Sequence, residues 1–329
     1  SRVLAQMSQR HRALLLGTLT VLSSAVLALA PARASAPAHD PAPAAGTHTG
    51  TAHASAPAPV PAQGQGHTPA PQTASAQSGA HALAPPPEGG LCTGFGPQTP
   101  RDIASPVGLN RQVFPLAPPA DQMNLCNIHT HTNAEHKGPG FSIVSRDPDA
   151  GGYQCDRGDL LTQEELRDPA FGHGPFHGVK PGDTIEVHWV YSSCDVTPGK
   201  GLGACLSDAC ANPTLRVESQ VFLLVNDPFA LDFANYDHKG HVAAGHPQPM
   251  SLPANTGAPV VFRGSTTGPS YTQAICSPLQ VTWSVRPNCA RLDISSLYRW
   301  GMDGNVFQED HSHGVRPLVT APELLAPIP

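Results

Sequence analysis

Between residue 35 and about residue 90 the chain offers almost nothing that a core could use. The stretch is built largely from Ala, Pro, Ser, Thr, Gly and His, with only Asp40 and Glu88 charged and long apolar side chains nearly absent. Such a segment cannot bury enough apolar surface to offset the entropy of ordering it, so an extended, disordered tether is expected there. Pro and Gly number 37 and 31 in 329 residues, nearly twice the roughly 12% of an average protein. That excess suits a chain of which only part packs. The folded region is therefore expected over 91–329, a plausible single domain.

Ahead of the tether, Ala13–Ala30 carries no charge, Arg10, His11 and Arg12 precede it, and Ala32-x-Ala34 follows as a small-residue cleavage site. Basic, apolar and small-residue regions in that order form the pattern of an export signal over residues 1–34, with translation expected to start at Met7. An uncleaved membrane anchor is the alternative, since the apolar run is at the short limit for spanning a bilayer. Either reading sends the rest of the chain to an oxidising compartment, periplasmic or extracellular, where eight Cys can form disulfides. His39, His48, His53, His67 and His81 read as solvated linker residues. A net charge of −6 without any Lys/Arg cluster excludes a nucleic-acid binder and a polybasic membrane-surface protein.

Short β-branched and aromatic runs lie between Gly, Pro and Asn turns at Thr184–Tyr191, Gln220–Val225, Pro259–Phe262 and Gln280–Val285. Helical periodicity is confined to Leu160–Arg167 and Ile294–Trp300. The fold expected is mainly β, an antiparallel sheet core with few short helices.

Chemistry concentrates around His129-Thr130-His131. In a strand, residues i and i+2 project from one face, so two imidazoles there can converge on one ion. A neighbouring strand can supply the third from Glu186-Val187-His188. Three neutral His with one position left open make a catalytic zinc site rather than a closed structural one. Asn127 and Glu186 each stand two residues before a ligand, where they can hold its outer ring nitrogen. Trp189, Val190, Val281 and Trp283 are apolar residues at strand positions, for most of which core packing is the expected role and a place in an apolar pocket the alternative.

The segments CNIHTHTNAEHKGPGFS, PGDTIEVHWVYSSC, FRGSTTGPSYTQAICSPLQVTWSVRPNC and EDHSHGVRPLVTAPELLAPI together resemble the delta-class carbonic anhydrases and their bacterial relatives. More distantly, His129/His131, Glu135-His136, Glu186/His188, Gly264-Ser265-Thr266-Thr267, Cys276 and Val281-Thr282-Trp283 are similar, in order, to motifs of the alpha class. The resemblance implies a sheet core like that of the alpha class and a zinc enzyme with His129, His131 and His188 as ligands to one Zn2+ per chain, or another divalent metal. It implies reversible hydration of carbon dioxide to bicarbonate and a proton by attack of a zinc-bound hydroxide. In that scheme Thr266, or secondarily Thr267, takes the hydroxide's hydrogen bond and passes its own to Glu135. The same match implies a Cys92–Cys276 disulfide; the other six Cys are left with 15 pairings. The chain departs from the alpha class in the short His131-to-Glu135 spacing, in the insertion Lys137–Lys180, and in Gly268-Pro269 after Thr267. No residue matches a proton-shuttle His, and His136, His173, His177, His311 and His313 are all available. His311-x-His313 reads as a feature of the site rim, not a second zinc site.

Two other readings fit part of the pattern. His129, His131, Glu135 and His188 resemble the ligand set of a cupin-like β-barrel, in which Glu135 coordinates Fe or Mn. A secreted zinc-binding module without catalysis fits as well. The sequence does not identify protein partners.

Overall fold

A computed structural model describes residues 90–147 and 150–329; the expected signal, and the tether apart from Gly90, lie outside the described residues. Within them run ten strands and one α-helix: β1 (Asn124–Thr132), β2 (Ile143–Val144), β3 (Tyr153–Gln154), β4 (Thr184–Ser192), β5 (Leu215–Val225), β6 (Val242–Ala243), β7 (His246–Pro247), β8 (Val260–Ser265), β9 (Gln280–Val285), β10 (Ala290–Asp293) and α1 (Ile294–Met302).

Six strands form one sheet in the order β1-β4-β5-β9-β8, with β10 also beside β5. The β1/β4, β4/β5 and β8/β9 pairs are antiparallel, whereas β9 and β10 run parallel to β5 and follow each other along the same edge of it. The sheet is mixed and open, so the cupin-like barrel is not the fold. At the β1 edge the C-terminal segment pairs with the ladder. His313 N donates to the Thr130 carbonyl and Thr132 N to the His313 carbonyl, each at 2.8 Å, which satisfies backbone groups that an edge strand leaves open.

All nine residues of β4 are buried, and its alternation divides the protein's interior. Ile185, Val187, Trp189 and Tyr191 point into a core shared with Leu297 and Trp300 of α1. Glu186, His188 and Val190 point to the other face. Trp189 therefore packs in the core, on the wrong face for the pocket, and donates its Nε1–H to the Tyr236 carbonyl at 2.8 Å. α1 starts where Asp293 caps the Ser295 N–H. The helix expected over Leu160–Arg167 does not form. Thr162 and Glu165 make a capping box, with Glu165 accepting from Thr162 N at 2.7 Å, but Pro169 follows too soon for a second turn.

Every cysteine from Cys92 onward is paired: Cys92–Cys276, Cys126–Cys205, Cys155–Cys289 and Cys194–Cys210. Four disulfides suit an oxidising, exported environment. Among the described residues no helix is long and apolar enough to cross a membrane.

Candidate metal centre

The β1/β4 register places His129 directly opposite His188 and His131 opposite Glu186. This ladder carries a β-bulge at Cys126: Leu125 faces Tyr191 and Asn127 faces Val190, leaving Cys126 as the extra residue. The bulge lets Leu125 and Ile128, three apart, enter the same core while Asn127, His129 and His131 share the opposite face. Ring centroids of the three histidines stand 4.7–5.1 Å apart, and one nitrogen from each lies within 4.8 Å of the other two.

Two of the rings have their outer nitrogen hydrogen-bonded, and the third turns its outer nitrogen to a carboxylate. His129 Nδ1 is 2.6 Å from Asn127 Oδ1 and His131 Nδ1 is 3.2 Å from the Gly314 carbonyl. His188 Nε2 is 3.1 Å from Glu186 Oε1, close but poorly aligned for a hydrogen bond. These acceptors draw the protons outward, so the inward nitrogens carry lone pairs. His129 Nε2 and His188 Nδ1 then face each other at 3.2 Å, and His131 Nε2 is buried with no partner. Three lone pairs converging without a proton among them are stabilised by a cation. The donor set, three imidazoles with one side open to a pocket, fits zinc.

Burial reinforces the neutral state. Desolvation, with the neighbouring imidazoles adding to it, holds His129 well below its ordinary pKa, and desolvation likewise lowers His131 and His188. Glu186 is the anion behind them. Its Oε2 accepts from Glu135 N at 2.6 Å and His136 N at 3.1 Å, and its Oε1 accepts from His136 Nδ1 at 2.9 Å and Ser219 Oγ at 2.5 Å. Burial pushes its pKa up, but His136 and His188 outweigh this and hold it well below the carboxylate range.

The histidines form the floor of a pocket of about 560 Å³ whose walls include Leu202, Val190, Val217, Val281, Trp283 and Phe307. Thr266 and Thr267 line it too, but the expected Thr266–Glu135 link is not made. Thr266 Oγ1 pairs with Ser277 Oγ at 2.5 Å, because Gln98 clamps Ser277 through both its N–H and its carbonyl. Glu135 Oε1 accepts from Arg316 N at 3.1 Å; its Oε2 is buried without a partner. Burial raises the Glu135 pKa. Glu135 is not one of the three convergent histidines, but one of its oxygens lies within 4.8 Å of nitrogens of His136 and His188 in a second, fully buried group. It is the open sheet that argues against the cupin reading. Of the five spare histidines, His136 is fully buried, His173 and His177 are exposed, and His311 and His313 line the pocket. His313 Nε2 is 3.1 Å from Glu309, whose hydrogen bond raises the imidazole's pKa.

Sequence reasoning misses Arg316 N, Ser219, Ser277, Gly314 and the loop carrying Lys200 and Leu202. Each acts through long-range placement, Arg316 and Gly314 by backbone atoms and Ser219 and Ser277 by hydroxyls, for which residue type is no signal.

An open β-sheet with three convergent, neutral imidazoles on a pocket floor defines a protein able to hold a divalent metal. A profile of the delta carbonic anhydrases matches residues 120–296, more than half of the chain, and the chain belongs to that family. No curated protein matches it. Among solved structures it is similar to an alpha-carbonic anhydrase from Photobacterium profundum, at 16% identity over 69% of this chain and 88% of that one, TM-score 0.23. It is also similar to the alpha-carbonic anhydrase of Thermovibrio ammonificans in complex with sulfanilamide, at 15% identity over 67% and 84%, TM-score 0.23. The family assignment rests on the profile, not on these two likenesses.

Proposed function

We propose that this chain catalyses the reversible hydration of carbon dioxide in the periplasm or outside the cell, with zinc held by His129 Nε2, His131 Nε2 and His188 Nδ1. The observation that carries the reading is the convergence of those three lone-pair nitrogens on the floor of an apolar-walled pocket. Zinc, when bound, supplies a doubly charged Lewis acid that makes water nucleophilic at neutral pH.

The protein's own residues do the rest. Asn127, Glu186 and the Gly314 carbonyl hold the three rings in orientation and tautomer. Val190, Val217, Val281 and Trp283 present an apolar wall suited to a substrate without charge or dipole. Glu135, whose buried Oε2 has no partner and which has an oxygen within reach of His188, is the acceptor this reading assigns to the attacking water's hydrogen-bond chain. Thr267, half-buried and lining the pocket, is the hydroxyl this reading assigns to that chain, since Thr266 is engaged by Ser277. His313 and His311 line the outward path for the released proton.

Stopped-flow carbon dioxide hydration by the purified protein, before and after chelation and after adding zinc back, tests the reading. Activity should vanish and return with zinc, and His129→Ala, His131→Ala or His188→Ala should each abolish both metal binding and activity. A zinc-loaded but inert protein would instead favour a binding module, and full activity in any one variant removes that residue from the site.

A further inference from the structure

Between β4 and β5 the chain makes a strap that crosses the pocket side of β1. Of residues 195–204 only Val196 packs against a core; most of the others are exposed. The strap is fastened covalently at two places. Cys194–Cys210 closes its base, and Cys126–Cys205 ties it to the bulge of β1. Between these links Gly199 touches β1 twice: its N–H donates to the Cys126 carbonyl at 3.0 Å, and its carbonyl accepts from Asn127 Nδ2 at 3.0 Å. The next residues, Lys200, Gly201 and Leu202, line the pocket.

The contact with Asn127 has a directional consequence. A carbonyl can only accept, so the Asn127 atom facing Gly199 must be the amide nitrogen. The amide oxygen is thereby turned toward His129 Nδ1, 2.6 Å away. An oxygen there requires the proton on Nδ1, and Nε2 is left with its lone pair toward His188 and His131. Rotating the amide by half a turn would reverse the preference and place a proton on the inward nitrogen. Two hydrogen bonds are too weak to order ten largely exposed residues; the covalent links supply what packing does not.

We propose that the strap is a positioning element of the metal centre: the Cys126–Cys205 link holds the Gly199 carbonyl, the carbonyl sets the Asn127 amide, and the amide selects the metal-competent tautomer of His129. The proposal rests on the metal reading given above, and it extends the site to a loop of no chemical character of its own.

Two measurements on the full chain test it. Two-bond proton–nitrogen spectra of histidine-labelled, chelator-stripped protein report which nitrogen of His129 carries the proton, and competition with a chromophoric chelator reports zinc affinity. Wild type should show the Nδ1–H form. The double variant Cys126→Ser/Cys205→Ser should show mixed tautomers and at least about tenfold weaker zinc binding, the usual scale for losing support behind a ligand. In Asn127→Asp the carboxylate still accepts from His129 but has nothing to donate to Gly199. Removing the link in that background should therefore change affinity by less than about twofold. Should the link-free protein not fold, a two-glycine insertion after Gly199 keeps all four disulfides while freeing the carbonyl, and the same tautomer loss is expected. A folded strap variant that keeps the Nδ1–H form overturns the proposal, as do link and Asn127 effects that simply multiply. If wild type binds no zinc, the metal reading fails, and the tautomer comparison still decides the strap's role.

Discussion

Stripped of metal, the protein should lose stability steeply as the pH falls below about 6.5. His129, His131 and His188 all resist protonation in the fold, chiefly because burial desolvates the charged ring, whereas in the unfolded chain each titrates near 6.5. Below that value the unfolded state binds more protons than the native state, so stability falls with pH. Each group contributes at most about 1.4 kcal/mol per pH unit, and three set a ceiling of about 4 kcal/mol per unit. Glu135 acts in the opposite sense. Burial raises its pKa, so between the ordinary carboxylate value and the raised one the native state holds the extra proton. Where the two windows overlap the ceiling drops to about 2.7 kcal/mol per unit. His313, raised by Glu309, contributes stability that is complete below about 6.5 and is lost as the pH rises through its folded pKa, so it does not mask the acid limb. Urea unfolding of the chelator-stripped chain from about pH 7.5 to about pH 5, at constant ionic strength, should show a fall of at least about 1.4 kcal/mol per unit below 6.5. His188→Gln should remove one group's share of that slope. A flat stability between about pH 6.5 and 5.5 would refute the reasoning, because it would mean the rings accept protons in the fold as readily as out of it.

Glu186→Gln must turn an amide N–H₂ toward donors; the least costly choice moves the His188 proton to Nδ1, so zinc affinity should drop about 10- to 100-fold in chelator competition. Glu135→Gln should leave zinc content unchanged in metal analysis while lowering kcat, since Glu135 lies outside the three-histidine group; loss of metal would make it a ligand. Removing the Cys92–Cys276 disulfide, which spans 184 residues, by paired Ser substitution should cost about 2–5 kcal/mol in urea unfolding. Gly264→Ala would put a Cβ 2.4 Å from Thr99 Cγ2 and 2.9 Å from Trp283 Cδ1; the overpacking should cost about 1–3 kcal/mol, read as a lowered Tm.

What the sequence exposes here is whatever depends on local geometry. His129, His131 and Asn127 share a face because a strand alternates, and Glu186 stands beside His188 for the same reason. The first half of β5 is less legible, since Arg216 and Glu218 break the apolar run. Both are nonetheless accommodated, because Glu218 pairs with Arg216 at 2.7 Å and with Arg286 at 3.1 Å. Trp189 misleads for a related reason: it is apolar and adjacent to His188, yet adjacency in a strand means opposite faces. Thr266 misleads because its partner, Ser277, is delivered by Gln98 from 179 residues away. Nothing local to a threonine announces that.

The long insertion between His136 and His188 could have displaced the third ligand, and the ladder explains why it does not. Antiparallel register is fixed wherever one face must be buried. Ile185, Val187, Trp189 and Tyr191 all have to reach the α1 core, so β4 can slide along β1 only in steps of two residues. A step of two would set Glu186 or Val190 opposite His129 in place of His188, driving a carboxylate into the ring cluster or leaving it a ligand short. The bulge at Cys126 removes even that freedom, because the extra residue fits only where its disulfide to Cys205 can close. Length added between the strands is absorbed in loops, where closure entropy grows slowly, and the ladder, not the length of the insertion, sets which three rings meet.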